Sequence, residues 1–150
     1  MNTVPLEEAC AALRDVAPPV AAEAVPLASA LGRVLARTVR ARGDVPNLDV
    51  AAMDGYACRF EDAAEAGAER PARLRVVDGS HAGGPAPRPI GPGEATQIAT
   101  GAALPAGADA IAVVERSRRE GDEVLLSAPA QRKHVRRAGE DLQRGVAALD

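Results

Sequence analysis

Apolar residues change their spacing once along this chain, near residue 45. Before that point Leu6, Ala9, Cys10, Leu13, Val16 and Ala17 follow a 3-4-3 spacing, with Glu7, Glu8, Arg14 and Asp15 mostly off the stripe. That spacing predicts an amphipathic helix over 5–17. Pro18 and Pro19 end it, and Pro5 is tolerated near its start because the N–H it lacks would be unpaired there in any case. A second, shorter helical pattern joins Leu27, Leu31, Val34 and Leu35, and gives way to a β-like run, RTVRA, at 37–41.

Beyond residue 45 short apolar runs separated by turn residues replace the helical stripes. They predict strands at 53–58, 73–78, 94–99, 109–115 and 123–128. FEDAAEAGAE, between the first two, reads as a brief helix ended at or just beyond Gly67. Residues 79–93 hold five Gly and four Pro, which predicts a long surface loop with few backbone bonds to hold it. REGDE at 119–123 reads as a tight hairpin turn, because Gly121-Asp122 supplies the positive φ that such turns need. A last β-like run, Val146 to Leu149, looks like the opening of an element whose partner lies further on, as in the front part of a longer protein.

Composition narrows the picture. A chain of 150 residues is one average domain or two small ones sharing a surface. Aliphatic residues must build the core, because aromatics make up 1% and Trp is absent. With 26% charged residues, 47% hydrophobic residues and a formal charge of -3, the chain reads as a soluble globular protein, with no nucleic-acid or membrane partner expected. No apolar run approaches the ~20 residues of a membrane span. MNTVPLEEAC lacks the basic start of a secretory signal, so the cytoplasm is the default location. Cys10 and Cys58 lie far apart with no C-x-x-C partner and read as two small buried hydrophobes. His81 and His134 are equally isolated, a poor metal signal, and read as surface residues.

Three stretches carry candidate chemistry. VAAMDGYACRF at 50–60 gathers the only two aromatic residues, Tyr56 and Phe60, around the acid-glycine pair Asp54-Gly55. Taken alone it is either a turn beside a core anchor or a site. TGAALPAGADAIAVVE at 100–115 sets Thr100 at a strand end and Gly101 on a tight loop that an anion can approach; it lacks the G-K-[ST] ending of a Walker loop. VRRAGEDLQRG at 135–145 places Arg136 and Arg137 beside Glu140 and Asp141, either an oxyanion site or an exposed ion-pair cluster.

Order and spacing join these stretches. LASALGRVLARTVRA, DVPNLDVAAMDGYACR, HAGGPAP, IATGAALPAGADAIAVVE and VRRAGEDLQRG, in this sequence, resemble the N-terminal region of the molybdopterin molybdenumtransferase family, that of bacterial MoeA and the gephyrin E domain. The similarity runs from about residue 5 to the end. It implies a mainly β fold with minor α, an irregular bifurcated β-sheet with an N-terminal amphipathic helix. The implied layout is a helix at 1–19, a linking layer at 20–44 plus 134–150, and a cleft-forming β domain at 45–133, with Tyr56 and Phe60 anchoring the strand that presents Asp54.

The resemblance further implies hydrolysis of adenylylated molybdopterin and insertion of molybdate, with Mg²⁺ as the divalent metal. It implies a dimer whose cleft lies between the β domain and a pterin-binding domain, the latter supplied in cis or in trans. It carries catalytic roles to Asp54 and Thr100; with the chemistry of the residues themselves added, Asp54 is the candidate metal ligand, and Asp49, Gly101, Arg136, Arg137 and Asp141 are the candidate substrate-binding residues. Where the family commonly reads F-D-N-S-A-M-D-G-Y-A, this chain has Leu48-Asp49-Val50-Ala51-Ala52-Met53-Asp54-Gly55-Tyr56-Ala57, and so loses an amide and a hydroxyl beside the site. Two function classes stay open: a piece of that enzyme, or a binding or assembly module that kept the fold and lost the reaction.

Overall fold

The computed structural model describes residues 3–18 and 20–150, in two compact units: residues up to Thr38 together with Asp150, and Val39–Leu149. The first unit opens with helix α1, Leu6–Val16. Glu7 and Glu8 in its first turn and Arg14 in its last suit the helix dipole. The helix closes where the Ala17 N–H bonds the Leu13 carbonyl, and Pro19, given a share in ending it, lies outside the described residues. None of its residues is fully buried.

The second helical pattern does not become a helix. Only a single 3₁₀ turn forms, Leu27–Ser29, and Leu27, Leu31 and Val34 are each more than nine-tenths exposed. A short amphipathic segment gains most of its helicity from packing its apolar face, and of this one only Leu35, 44% exposed, is substantially covered. α1 is also little covered, with Leu13 67% exposed. Leu13→Gln is therefore expected to change the unfolding free energy of this chain by less than about 0.5 kcal/mol, whereas a packed core leucine would cost several times that. Urea denaturation followed by circular dichroism checks it.

The second unit is mainly β. Its strands are β1 (Val39–Arg40), β2 (Val50–Ala51), β3 (Gly55–Cys58), β4 (Ala72–Ser80), β5 (Glu94–Ile98), β6 (Ala110–Val113), β7 (Ser117–Glu120), β8 (Glu123–Leu126), β9 (Val135–Arg136) and β10 (Ala147–Leu149), with one helical turn, α2 (Phe60–Ala63), after β3. Six strands form a mixed sheet in the order β6-β3-β5-β4-β8-β7, in which only β4 and β5 run parallel. β2 pairs with β9, and β1 with β10. Within the run Val146–Leu149, β10 pairs with Val39–Arg40, earlier in the chain.

Both faces of the central strand are covered, and small side chains make that possible. All four residues of β3 are buried between β5 and β6. Tyr56 and Cys58 face one cluster with Leu74, Val124 and Leu126, against which Phe60 packs. Ala57 faces the opposite cluster with Ala51, Ile98, Ala102 and Ile111. This is the period-2 alternation of a strand. Gly55 is required by close approach: a Cβ there would lie 2.0 Å from the Ala112 carbonyl oxygen of β6.

The glycine- and proline-rich stretch is shorter than expected and better held. β4 extends through Ser80, and side chains together with several backbone bonds tie down the rest. Asp78 accepts the Arg88 N–H at 2.7 Å, Asp62 accepts the Gly93 N–H at 2.9 Å, and the buried Ile90 bonds the Ala106 carbonyl. Carboxylates from neighbouring elements satisfy backbone groups that no ladder reaches.

The two cysteines part company. Cys58 is fully buried, and burial, with Asp62 and Asp109 nearby, pushes its thiol up to about 12. Cys10 is only half-buried, so its assignment to a core does not hold; it lies on α1, which has no core to enter. The folded chain is expected to react with a thiol reagent at Cys10 alone, and with two thiols once denatured, because a buried thiol forms little thiolate. His81 is exposed, while His134 is half-buried with Nδ1 3.3 Å from the Ile111 carbonyl oxygen.

Candidate functional site

Asp54 lies in the turn between β2 and β3, and Thr100 just past the end of β5, so the β3–β5 pairing brings them together across 46 positions. Thr100 donates twice to one carboxylate oxygen: its N–H and its hydroxyl each lie 2.7 Å from Asp54 Oδ1. The second oxygen makes no hydrogen bond among the described residues, and the side chain is exposed. The Thr100 N–H first, then its hydroxyl, hold the Asp54 carboxyl below the usual carboxylate range. The product is an ionised carboxylate, fixed at one oxygen and free at the other.

Gly101 continues the same loop at φ +79°, in the left-handed region that favours glycine. That turn lets its N–H bond the Ala51 carbonyl at 2.8 Å while the Ala51 N–H bonds Ala102, which docks the loop on β2. Gly101 therefore shapes the loop that carries Thr100.

Asp49, Arg136, Arg137 and Asp141 gather separately, on the β9 side of β2. Asp49 Oδ1 accepts the Ala138 N–H at 2.9 Å, and Oδ2 accepts from Arg137 at 2.6 Å. Partial burial raises the Asp49 pKa, but the Ala138 N–H and Arg137 outweigh it and leave the carboxyl below its ordinary value. Arg136 donates to Asp141 at 2.5 Å with Glu140 at 3.6 Å, and Glu140 also accepts the Arg137 N–H. Both guanidinium groups thus have carboxylate partners already. A partially exposed ion-pair network of this kind braces the 135–141 segment, and an incoming oxyanion must compete with those carboxylates.

Ser80 and Ala138 escaped the sequence reading. Ala138 contributes only a backbone N–H, for which a sequence carries no signal. Ser80 lies within a stretch whose Gly and Pro obscure the end of β4, although its hydroxyl, 2.9 Å from the Ala103 carbonyl oxygen, touches the Thr100 loop.

Mg²⁺ takes an octahedral shell of oxygen ligands. Asp54 offers one free carboxylate oxygen, and no group of three His, Cys, Asp or Glu converges among the described residues. These residues do not fit a magnesium site by themselves. Val50 and Ala51, where the family commonly has an amide and a hydroxyl, occupy β2; Ala51 is buried in the core and Val50 pairs with Arg136.

Comparison with known proteins places the chain in a family. The family profile of the MoeA N-terminal region (domain I and II) matches residues 4–150. A molybdopterin molybdenumtransferase of Synechococcus elongatus is 42% identical over 133 residues, which are 87% of this chain and 33% of that protein. One from Bacillus subtilis is 36% identical over 132 residues, 85% of this chain and 31% of that protein. A crystal structure of the molybdopterin biosynthesis MoeA protein from Pyrococcus horikoshii superposes with a TM-score of 0.84 at 36% identity, over 99% of this chain and 40% of that one. The chain spans about a third of the length of the curated relatives it matches. Profile, relatives and fold coincide over nearly all of its residues, and the chain belongs to the MoeA family, of which it carries the N-terminal region.

Proposed function

We propose that this chain forms the N-terminal part of a molybdenum cofactor biosynthesis enzyme that inserts molybdate into adenylylated molybdopterin, and that Asp54 and Thr100 line one wall of its active cleft. The observation that carries this is the double donation from Thr100 to a single Asp54 oxygen. It leaves an oriented, charged oxygen facing solvent, able to position a water or accept a proton from the substrate. The relatives that share this region are molybdopterin molybdenumtransferases.

The rest of the pocket comes from elsewhere. Holding a pterin and cleaving its nucleotide need a shaped cavity and cations on phosphate. Arg136 and Arg137 are engaged by Asp141, Glu140 and Asp49. A pterin-binding domain, in cis or in trans, supplies those contacts, in a homodimer whose cleft forms between subunits in the cytoplasm. The 150-residue chain alone is expected not to turn over adenylylated molybdopterin, and molybdate insertion is expected once a pterin-binding domain is added. Turnover by the chain alone refutes this division of labour.

A second reading, a binding or assembly module without the reaction, is favoured by Val50 and Ala51, neither of which offers a side-chain donor or acceptor. A completed assembly that binds the pterin but leaves it unchanged selects that reading.

A further inference from the structure

We propose that Ser80 is a positioning residue for the Asp54–Thr100 pair: its buried hydroxyl holds the 99–103 loop so that Thr100 keeps both donors on Asp54. The placement follows from topology. β4 and β5 are parallel, so they end on the same side, with Ser80 opposite Ile98. A register shift between Val76 and Asp78 sets that pairing. In an uninterrupted ladder Gly79, which has no hydroxyl, would stand opposite Ile98. The bulge re-aims one side chain, a common use of such irregularities. Asp78 braces it, accepting the Gly79 N–H at 2.8 Å and the Arg88 N–H at 2.7 Å.

Ser80 then grips the loop at two points. Its hydroxyl donates to the Ala103 carbonyl oxygen at 2.9 Å, and its own carbonyl accepts the Ala99 N–H at 3.1 Å. These bonds bracket Thr100–Ala102. From the other side β2 holds the loop through backbone bonds that most residues can make. The Ser80 side depends on a hydroxyl, and at 2% exposure no solvent stands ready to replace it. The lowered pKa of Asp54, caused by the Thr100 N–H and hydroxyl, reports whether the grip holds.

The bearing of Ser80 on catalysis rests on the function proposed above; its effect on the loop does not, and can be read without turnover. In NMR titrations of the 150-residue chain, Ser80→Ala is expected to raise the Asp54 pKa toward the ordinary carboxylate range. The Thr100 amide is expected to exchange roughly fivefold faster, the weight of one hydrogen bond, with the Ala57 amide unchanged. A merely structural role would loosen Ala57 as well and leave Asp54 in place. Ser80→Cys, close in volume and a weak donor, is expected to act in the same direction and serves if the alanine variant does not fold. If neither variant folds, the unaltered chain decides, since the Ser80 hydroxyl proton must then show a hydrogen-bond coupling to the Ala103 carbonyl. A folded variant with Asp54 and Thr100 unmoved, or the absence of that coupling, overturns the proposal. A shifted Asp54 with undiminished molybdate insertion in the completed enzyme upholds the positioning and refutes instead the catalytic reading of the pair.

Discussion

Asp54→Asn is expected to lower molybdate insertion by roughly 10²–10³-fold in an enzyme completed by a pterin-binding domain, the scale on which a single preorganised electrostatic contact acts. The substitution keeps the shape of the side chain. Its amide oxygen can still accept the Thr100 N–H and hydroxyl that now meet at Asp54 Oδ1. What disappears is the charge on the free oxygen. Because Asp54 is exposed, the urea midpoint is expected to fall only slightly and the protein to stay folded, which separates lost chemistry from lost folding.

The pH dependence has a definite sign. The folded-state pKa of Asp54 lies below its unfolded value, so the associated stability is present above the unfolded pKa and is lost as pH falls through the folded one. Thr100→Val removes the hydroxyl donor, and so is expected to raise the Asp54 pKa and move the acid limb of the rate profile to higher pH. Full activity of Asp54→Asn in the completed enzyme would sink the assignment.

Gly55→Ala should be the most destabilising single-methyl change in the sheet, costing at least about 3 kcal/mol or preventing folding. The added carbon would sit 2.0 Å from the Ala112 oxygen, 2.9 Å from the Ala112 carbonyl carbon and 3.0 Å from the Val113 Cα. All three are backbone atoms of β6, paired with β3 over its whole length, so no rotamer change gives relief. Relief requires the two strands to part, and that opens both core clusters at Tyr56 and Ala57. Gly43→Ala, where nothing lies within 4 Å, is the control and should cost little. A Gly55→Ala protein with an unfolding free energy near that of the control would show that β3 and β6 do not pack this closely.

Much of the sheet was legible because a strand in this protein is a local event. Each short apolar run bounded by turn residues at 53–58, 73–78, 94–99, 109–115 and 123–128 contains an observed strand, within a few residues at the ends. The hairpin at Gly121-Asp122 needed only its turn chemistry, and Glu120 duly pairs with Glu123. The scarce aromatics marked the core, since Tyr56 is buried and Phe60 packs beside it.

The helical pattern at Leu27–Leu35 misled because periodicity records that a stripe exists and says nothing of whether a surface waits to receive it. Arg136 and Arg137 left two readings open, an oxyanion site or an ion-pair cluster. Glu140 and Asp141 stand near them in the sequence, but Asp49 reaches Arg137 across 88 positions, and only folding reveals that both guanidinium groups are already paired.

The sequence by itself therefore determined the β character of this protein, its α1 helix, the family to which its motifs point and the choice of Asp54 and Thr100 as candidates, all of which rest on neighbouring residues and their order. Tertiary structure alone decided that Val39–Arg40 closes against Ala147–Leu149, that the Thr100 N–H and hydroxyl meet on one Asp54 oxygen, and that a register shift in β4 turns Ser80 toward their loop. Each of these depends on strand register, and a slip of one residue reverses which side chains face inward. Register is set by the packing of the whole sheet and by no single stretch of chain.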